Sequence, residues 1–148
     1  MAVYVAPFVQ LTTDTDIMAS GDALTSVTSF TNVPEHGVIH TVQIIDRDSE
    51  NVNLDIVFFR VDTSDGTGPA GTAINAAFAP SNAELSTLVG AVLVDTWKAF
   101  STNSMGIETN IGLPYWAPNG RLYFQLVTRG TPTYTATTDL LASVSIVY

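Results

Sequence analysis

Fourteen carboxylates and two imidazoles carry the obvious acid–base and metal-binding chemistry of this 148-residue chain, which has no cysteine. Disulfides, thiolate catalysis and Cys-ligated zinc are therefore excluded. Asp46-Arg-Asp-Ser-Glu-Asn51 opens with alternate acids, as calcium loops do. The EF-hand pattern then requires Gly at its sixth position and Glu at its twelfth, where this chain has Asn51 and Val57. A solvated turn is the expectation there. Asp62, Ser64, Asp65 and Gly66 form a second oxygen-rich loop, and Asp14, Asp16 and Asp22 a third. Separate loops can share a calcium ion, but this spacing assembles no complete ligand set. His36 and His40 would share a face on a helix. They sit where a turn enters a strand, and residues four apart in a strand are about 13 Å apart. His40 is expected as a hydrogen-bonded strand residue. There is no Gly-x-Ser-x-Gly elbow, no phosphate-cradling glycine loop and no His-Glu-x-x-His. The chain reads as a binding protein, not an enzyme, with no catalytic residue, cofactor or metal ligand expected.

Aromatic side chains offer the other chemistry, that of contact. Tyr115 and Trp116 stand in Pro114-Tyr-Trp-Ala-Pro118, between prolines that stiffen the segment. Trp and Tyr are enriched at protein interfaces because they bury much area at small entropic loss. The structural alternative is that Trp116 plugs one end of the domain. Tyr4 and Phe8, in an apolar N-terminal segment, admit two readings: residues 1–13 are an edge strand, or an arm laid on a neighbouring subunit. Tyr4, Phe8, Tyr115 and Trp116 are the expected protein-contact residues.

The composition says what must position them. Hydrophobic residues make up 46% of the chain and charged residues 13%, about half the usual share. Twenty threonines and eleven serines take the place of the missing charge. Threonine is β-branched and suits a half-buried pleated surface. Net charge is −9, and the five cations (Arg47, Arg60, Lys98, Arg121 and Arg129) are scattered. Nucleic-acid binding rests on clustered Lys and Arg, so no nucleic-acid partner is expected. No apolar run approaches the roughly 18 residues of a membrane span. The N-terminus lacks a positive n-region and contains Pro7, which makes it a poor secretory signal. Synthesis in a cytoplasm without export by a cleaved signal is the expectation.

Period-2 alternation marks the strands. Gly37–Ile45 and Val52–Asp62 alternate clearly and are expected to pair as an antiparallel hairpin about Asp46–Asn51. Arg121–Thr128 and Asp139–Tyr148 alternate likewise, with Leu122, Phe124 and Leu126 on one face and Leu140, Ala142, Val144 and Ile146 on another. Weaker strands are expected at Val3–Leu11, Leu24–Phe30, Ala73–Phe78, Ala91–Phe100 and Gly106–Leu113. One helix is expected over Ser81–Val89, with Ser81 and Glu84 as a capping box and Gly90 as its stop. Thr12–Asp22, Thr63–Gly71 and Pro114–Gly120 read as loops. About eight strands in one domain over 1–148 favour an all-β antiparallel β-sandwich over a barrel, with a jelly roll as its candidate form.

Four segments stand out: Asn53-Leu-Asp-Ile-Val-Phe-Phe-Arg60, Ser81-Asn-Ala-Glu-Leu85, Asn110-Ile-Gly-Leu-Pro-Tyr115 and Gln125-Leu-Val-Thr-Arg-Gly-Thr-Pro-Thr-Tyr-Thr135 with Asp139-Leu140. Through them, and in style over nearly the whole chain, the sequence resembles the capsid decoration, or cement, proteins of tailed bacteriophages. It implies a structural virion protein that docks on the outer capsid surface, with the phage major capsid protein as partner. It also implies a homo-oligomer (often a trimer, sometimes a dimer or monomer) and assembly in the host cytoplasm. The alternative is a glycan- or receptor-binding β-sandwich module of the virion.

Overall fold

The computed structural model describes residues 1–61 and 68–148. In chain order its elements are β1 (Val3–Val5), β2 (Val9–Gln10), β3 (Thr28–Thr31), β4 (His36–Asp46), β5 (Leu54–Phe59), α1 (Asn82–Leu85), β6 (Leu88–Val94), β7 (Trp97–Phe100), β8 (Asn103–Trp116), β9 (Arg121–Thr128) and β10 (Leu140–Val147). Two antiparallel sheets form, ordered β1-β10-β4-β8-β7, with β2 also on β10, and β3-β9-β5-β6. They pack as an all-β sandwich, as the alternation requires. Among the described residues no helix is long and apolar enough to cross a membrane.

The alternating faces meet in the core. Leu54, Ile56 and Phe58 of β5, Leu122, Phe124 and Leu126 of β9, and Leu140, Ala142, Val144 and Ile146 of β10 are all buried. Phe124 stacks on Phe30 at 4.4 Å between ring centroids and meets Phe58 at 6.3 Å. The opposite side of β5 is covered as well. Val57, Phe59 and Val127 form a small second cluster beneath Phe78 and Tyr123.

The expected β4–β5 hairpin does not form: β4 pairs with β10 and β8, and β5 with β9 and β6, in opposite sheets. The buried Asp46 carboxylate accepts from the N–H groups of Asp48 and Asn51, while Ser49 and Asn51 adopt positive φ. That corner carries the chain from one sheet to the other. Alternation shows which side of a strand is buried; it does not name the neighbour that lies beside it.

The helix is a single turn. Its capping box is present, with Glu84 N–H donating to Ser81 Oγ at 3.2 Å and Ser81 N–H to Glu84 Oε2 at 2.7 Å. Leu88, Val89 and Gly90, expected at its end, belong to β6, because pairing with Phe58 and Phe59 offers a ladder that an exposed second turn does not. The strand expected over Ala91–Phe100 breaks at Asp95–Thr96, where Glu108 Oε1 accepts both N–H groups as the chain changes sheets. Ala73–Phe78 makes one isolated bridge, Asp22–Ala77, and otherwise lies over the β3-β9-β5-β6 sheet. Buried Gln125 ties that segment down by accepting from Thr72 N–H and donating to the carbonyls of Thr72 and Thr25. Only the end of Leu24–Phe30 is strand, since Thr25 Oγ1 takes the Leu126 N–H that a regular ladder would use. Val3–Leu11 divides into β1 and β2, both laid along β10 of the same chain. Asp62, the last residue of the strand expected at Val52–Asp62, and most of the loop expected at Thr63–Gly71 lie outside the described residues.

Candidate functional site

At one end of the sandwich, β8 finishes as Pro114-Tyr115-Trp116, a continuous strand where a loop was expected. Its register is Pro114 against Val38, Tyr115 against Gly37 and Trp116 against His36. A bulge delivers it there. Opposite His40, β8 inserts Asn110, Ile111 and Gly112, with Asn110 and Gly112 in the left-handed region at φ 58° and 71°. Such bulges bend a strand and re-aim the side chains beyond them. His40 is the matching irregularity on β4, exposed and bonded to Thr41 at 2.9 Å.

Alternation then separates the two aromatics. Tyr115 turns inward, is buried, and donates its hydroxyl to the Pro34 carbonyl at 2.9 Å. Burial, with Tyr4 nearby, pushes its phenol up to about 12. Trp116 turns outward and is 38% exposed. Its indole N–H donates to Glu35 Oε1 at 3.3 Å, His36 stacks beside it at 6.3 Å, and the Arg60 guanidinium carbon lies 5.6 Å from its centroid. Arg60 reaches in from the end of β5 and also donates to the Ser86 carbonyl. Arg60, Leu88, Val89, Pro114, Tyr115 and Trp116 line a groove of about 330 Å³ between the open edges of the two sheets.

The four residues singled out by type are not one patch. Tyr115 and Trp116 share the groove, although only Trp116 presents itself outward. Tyr4 is half-buried and donates to the Thr31 carbonyl at 2.9 Å, so both tyrosines hold the β3–β4 connection. Phe8 is 44% exposed between β1 and β2, with β10 and β4 separating that edge from β8. Arg60, Glu35, Leu88 and Val89 were not anticipated. The helix expected over 81–89 concealed Leu88 and Val89, and nothing in the sequence pairs Arg60 with a residue 56 positions away.

The acidic loops use their carboxylates locally. Asp14 accepts from Thr15 and Asp16 N–H and from Asn75, and these bonds hold its carboxyl below the ordinary value. Asp22 accepts from Ala19 N–H. Asp48 and Glu50 accept from Thr135 and Thr133 N–H, tying the Asp46–Asn51 corner to the segment before β10. Burial raises Asp46 above the usual carboxylate range. Among the described residues no group of three or more His, Asp or Glu side chains is placed to hold a metal ion. The loop of Asp62, Ser64, Asp65 and Gly66 lies outside the described residues.

The sheet beside the groove is almost uncharged. Among its strands β1, β2, β4, β7, β8 and β10, the only Asp, Glu, Lys or Arg residues are Asp46, Lys98 and Glu108. Val3, Val147, Val38 and Pro114 form one cross-strand row on its outer side, with Val3, Val38 and Pro114 exposed. No protein-family model matches the chain, and no curated protein matches it.

Proposed function

We propose that this protein is a structural, non-enzymatic component of a phage virion that docks on the outer capsid surface and stabilises the lattice. The observation that carries the reading is Trp116: a partly exposed indole in a groove walled by Leu88, Val89, Pro114 and Arg60, beside a sheet whose strands carry only Asp46, Lys98 and Glu108 as charged residues. Interface anchors are typically aromatic side chains seated among apolar neighbours, with charge kept to the rim. The resemblance to capsid decoration proteins supplies the partner, the major capsid protein. Repetition of one modest contact over a shell would supply the affinity. The jelly-roll form belongs to the same proposal. It is supported by the order β1-β10-β4-β8 facing β3-β9-β5-β6, with successive strands passing repeatedly between the sheets.

The test is co-sedimentation with purified expanded capsid shells. Binding at a fixed ratio is expected, and Trp116→Ala is expected to weaken it at least tenfold, consistent with losing about 2 kcal/mol at an anchor. Wild-type protein that stays in the supernatant overturns the proposal.

A glycan-binding module is the second reading, favoured by the polar groups of Glu35, His36 and Arg60 around the indole. Arg60 and His36 already lie against that ring, so a sugar stacking there competes with both. A glycan array blank with and without calcium removes this alternative.

A further inference from the structure

The stretch of β8 that β7 leaves uncovered carries Glu108, the Asn110–Gly112 bulge and Pro114; of the other strands that edge the two sheets, β1, β2, β3 and β7 have two to four residues each, whereas β6 has seven. An edge strand presents unpaired N–H and C=O groups, and proteins blunt such edges by shortness, charge or proline. The β6 sequence, Leu-Val-Gly-Ala-Val-Leu-Val, contains neither charge nor proline. Leu88 and Leu93 are 43% and 47% exposed. β5 is its partner on one side, and among the described residues no backbone bond reaches it from the other.

We infer that β6 is the pairing edge for a second copy of this chain, joined antiparallel about a two-fold axis at Ala91. Two features single out a copy as the occupant. The first is self-complementarity. Ala91, the middle residue, faces itself, and Gly90 faces the second copy's Val92. With Val89 bulged from the ladder, exposed Leu88 meets the second copy's exposed Leu93 on the outer face, in line with Phe59, Val57 and Asp55 of β5. The second is charge. Ser86 and Thr87, just before β6, hold Arg60, whose N–H donates to the Thr87 carbonyl at 2.9 Å and whose guanidinium donates to the Ser86 carbonyl. Asp95, just after β6, is exposed. Antiparallel pairing brings the second copy's Asp95 beside Ser86–Thr87 and within reach of Arg60, and symmetry repeats the contact. Two chains of net charge −9 thus meet along a stretch without acids, closed at each end by opposite charges. An isologous contact of this kind closes as a dimer.

The dimer edge shares Leu88 and Arg60 with the Trp116 groove, but its tests read self-association, which the capsid reading does not require. The chain has no cysteine, so one introduced thiol reports alone. Directly opposed antiparallel residues have Cα atoms about 4.5–5.5 Å apart, within the roughly 4.4–6.8 Å that a disulfide spans. Ala91→Cys is expected to form a disulfide dimer under mild oxidation at concentrations where Val3→Cys, on the other sheet's edge, stays monomeric. Light scattering is expected to give a dimer for the wild type and a monomer for Ala91→Lys. Asp95→Arg should weaken the dimer at least fivefold, and adding Arg60→Asp should restore it. If Ala91→Lys fails to fold, the thiol and charge-swap experiments still decide. A wild-type monomer or trimer, with Ala91→Cys oxidising no faster than Val3→Cys, overturns the inference. A dimer that ignores capsid shells leaves this pairing standing and removes the virion proposal. A monomer that binds shells does the reverse.

Discussion

Tyr115 and Trp116 are chain neighbours of similar type with opposite duties. Strand alternation sends one hydroxyl into the Pro34 carbonyl and leaves the other ring outward. Tyr115→Phe removes that bond and leaves a carbonyl short of a donor, so a loss of about 1 kcal/mol is expected in urea unfolding. The same residue governs part of the alkaline limb. The folded protein holds the Tyr115 proton up to about 12, above the ordinary phenol value of 10.0. Its contribution is therefore complete below that ordinary value and is lost as pH rises through the folded one. Tyr134 is shifted in the same direction by burial and by the surrounding carboxylates, so the limb persists in the variant. Thermal melts should show Tyr115→Phe losing less stability than the wild type between those two pH values. Interface enrichment drew attention to both side chains, but residue type does not record which side of a strand a residue occupies.

Among the elements, the capping box was legible because its partners lie three residues apart. Burial pushes Glu84 up, but N–H bonds from Ser81 and Gly71 outweigh it, and the net shift is downward. The folded state therefore binds that proton more weakly than the unfolded chain. The resulting stability is present above the unfolded pKa and is lost as pH falls through the folded one. Glu84→Gln should cost about 1 kcal/mol at neutral pH and less near pH 3, read from urea midpoints. The extent of the helix was not legible: Leu88–Val94 suits an apolar helix end as well as a strand, and β5 decides between them by pairing. The β8 bulge was equally hidden, because two left-handed residues leave little trace in an alternation pattern. At Gly112 nothing lies within 4 Å of where a Cβ would stand, so Gly112→Ala pays for backbone conformation alone. A loss of about 1–2 kcal/mol is expected by thermal denaturation.

For the molecule as a whole, the two sheets are joined through Phe30, Phe58 and Phe124, which come from three strands of one sheet and face the other. Phe124→Ala should cost about 3–5 kcal/mol, through lost burial and the cavity left behind. Calorimetry on that variant checks whether the sandwich unfolds as one unit, since a second, unshifted transition would contradict it. That an all-β sandwich would form, and that β5, β9 and β10 would be alternating strands, followed from the sequence alone, because period 2 and low charge leave few other ways to bury so much apolar surface. The sequence also determined the scarcity of charge on the β1-β10-β4-β8-β7 sheet. Only the tertiary structure decided that β4 and β5 part company, that β6 is an open edge among the described residues, and that Arg60 meets Trp116. Those outcomes depend on pairings between residues distant in the chain, and a strand's own pattern specifies its buried side without specifying its neighbour.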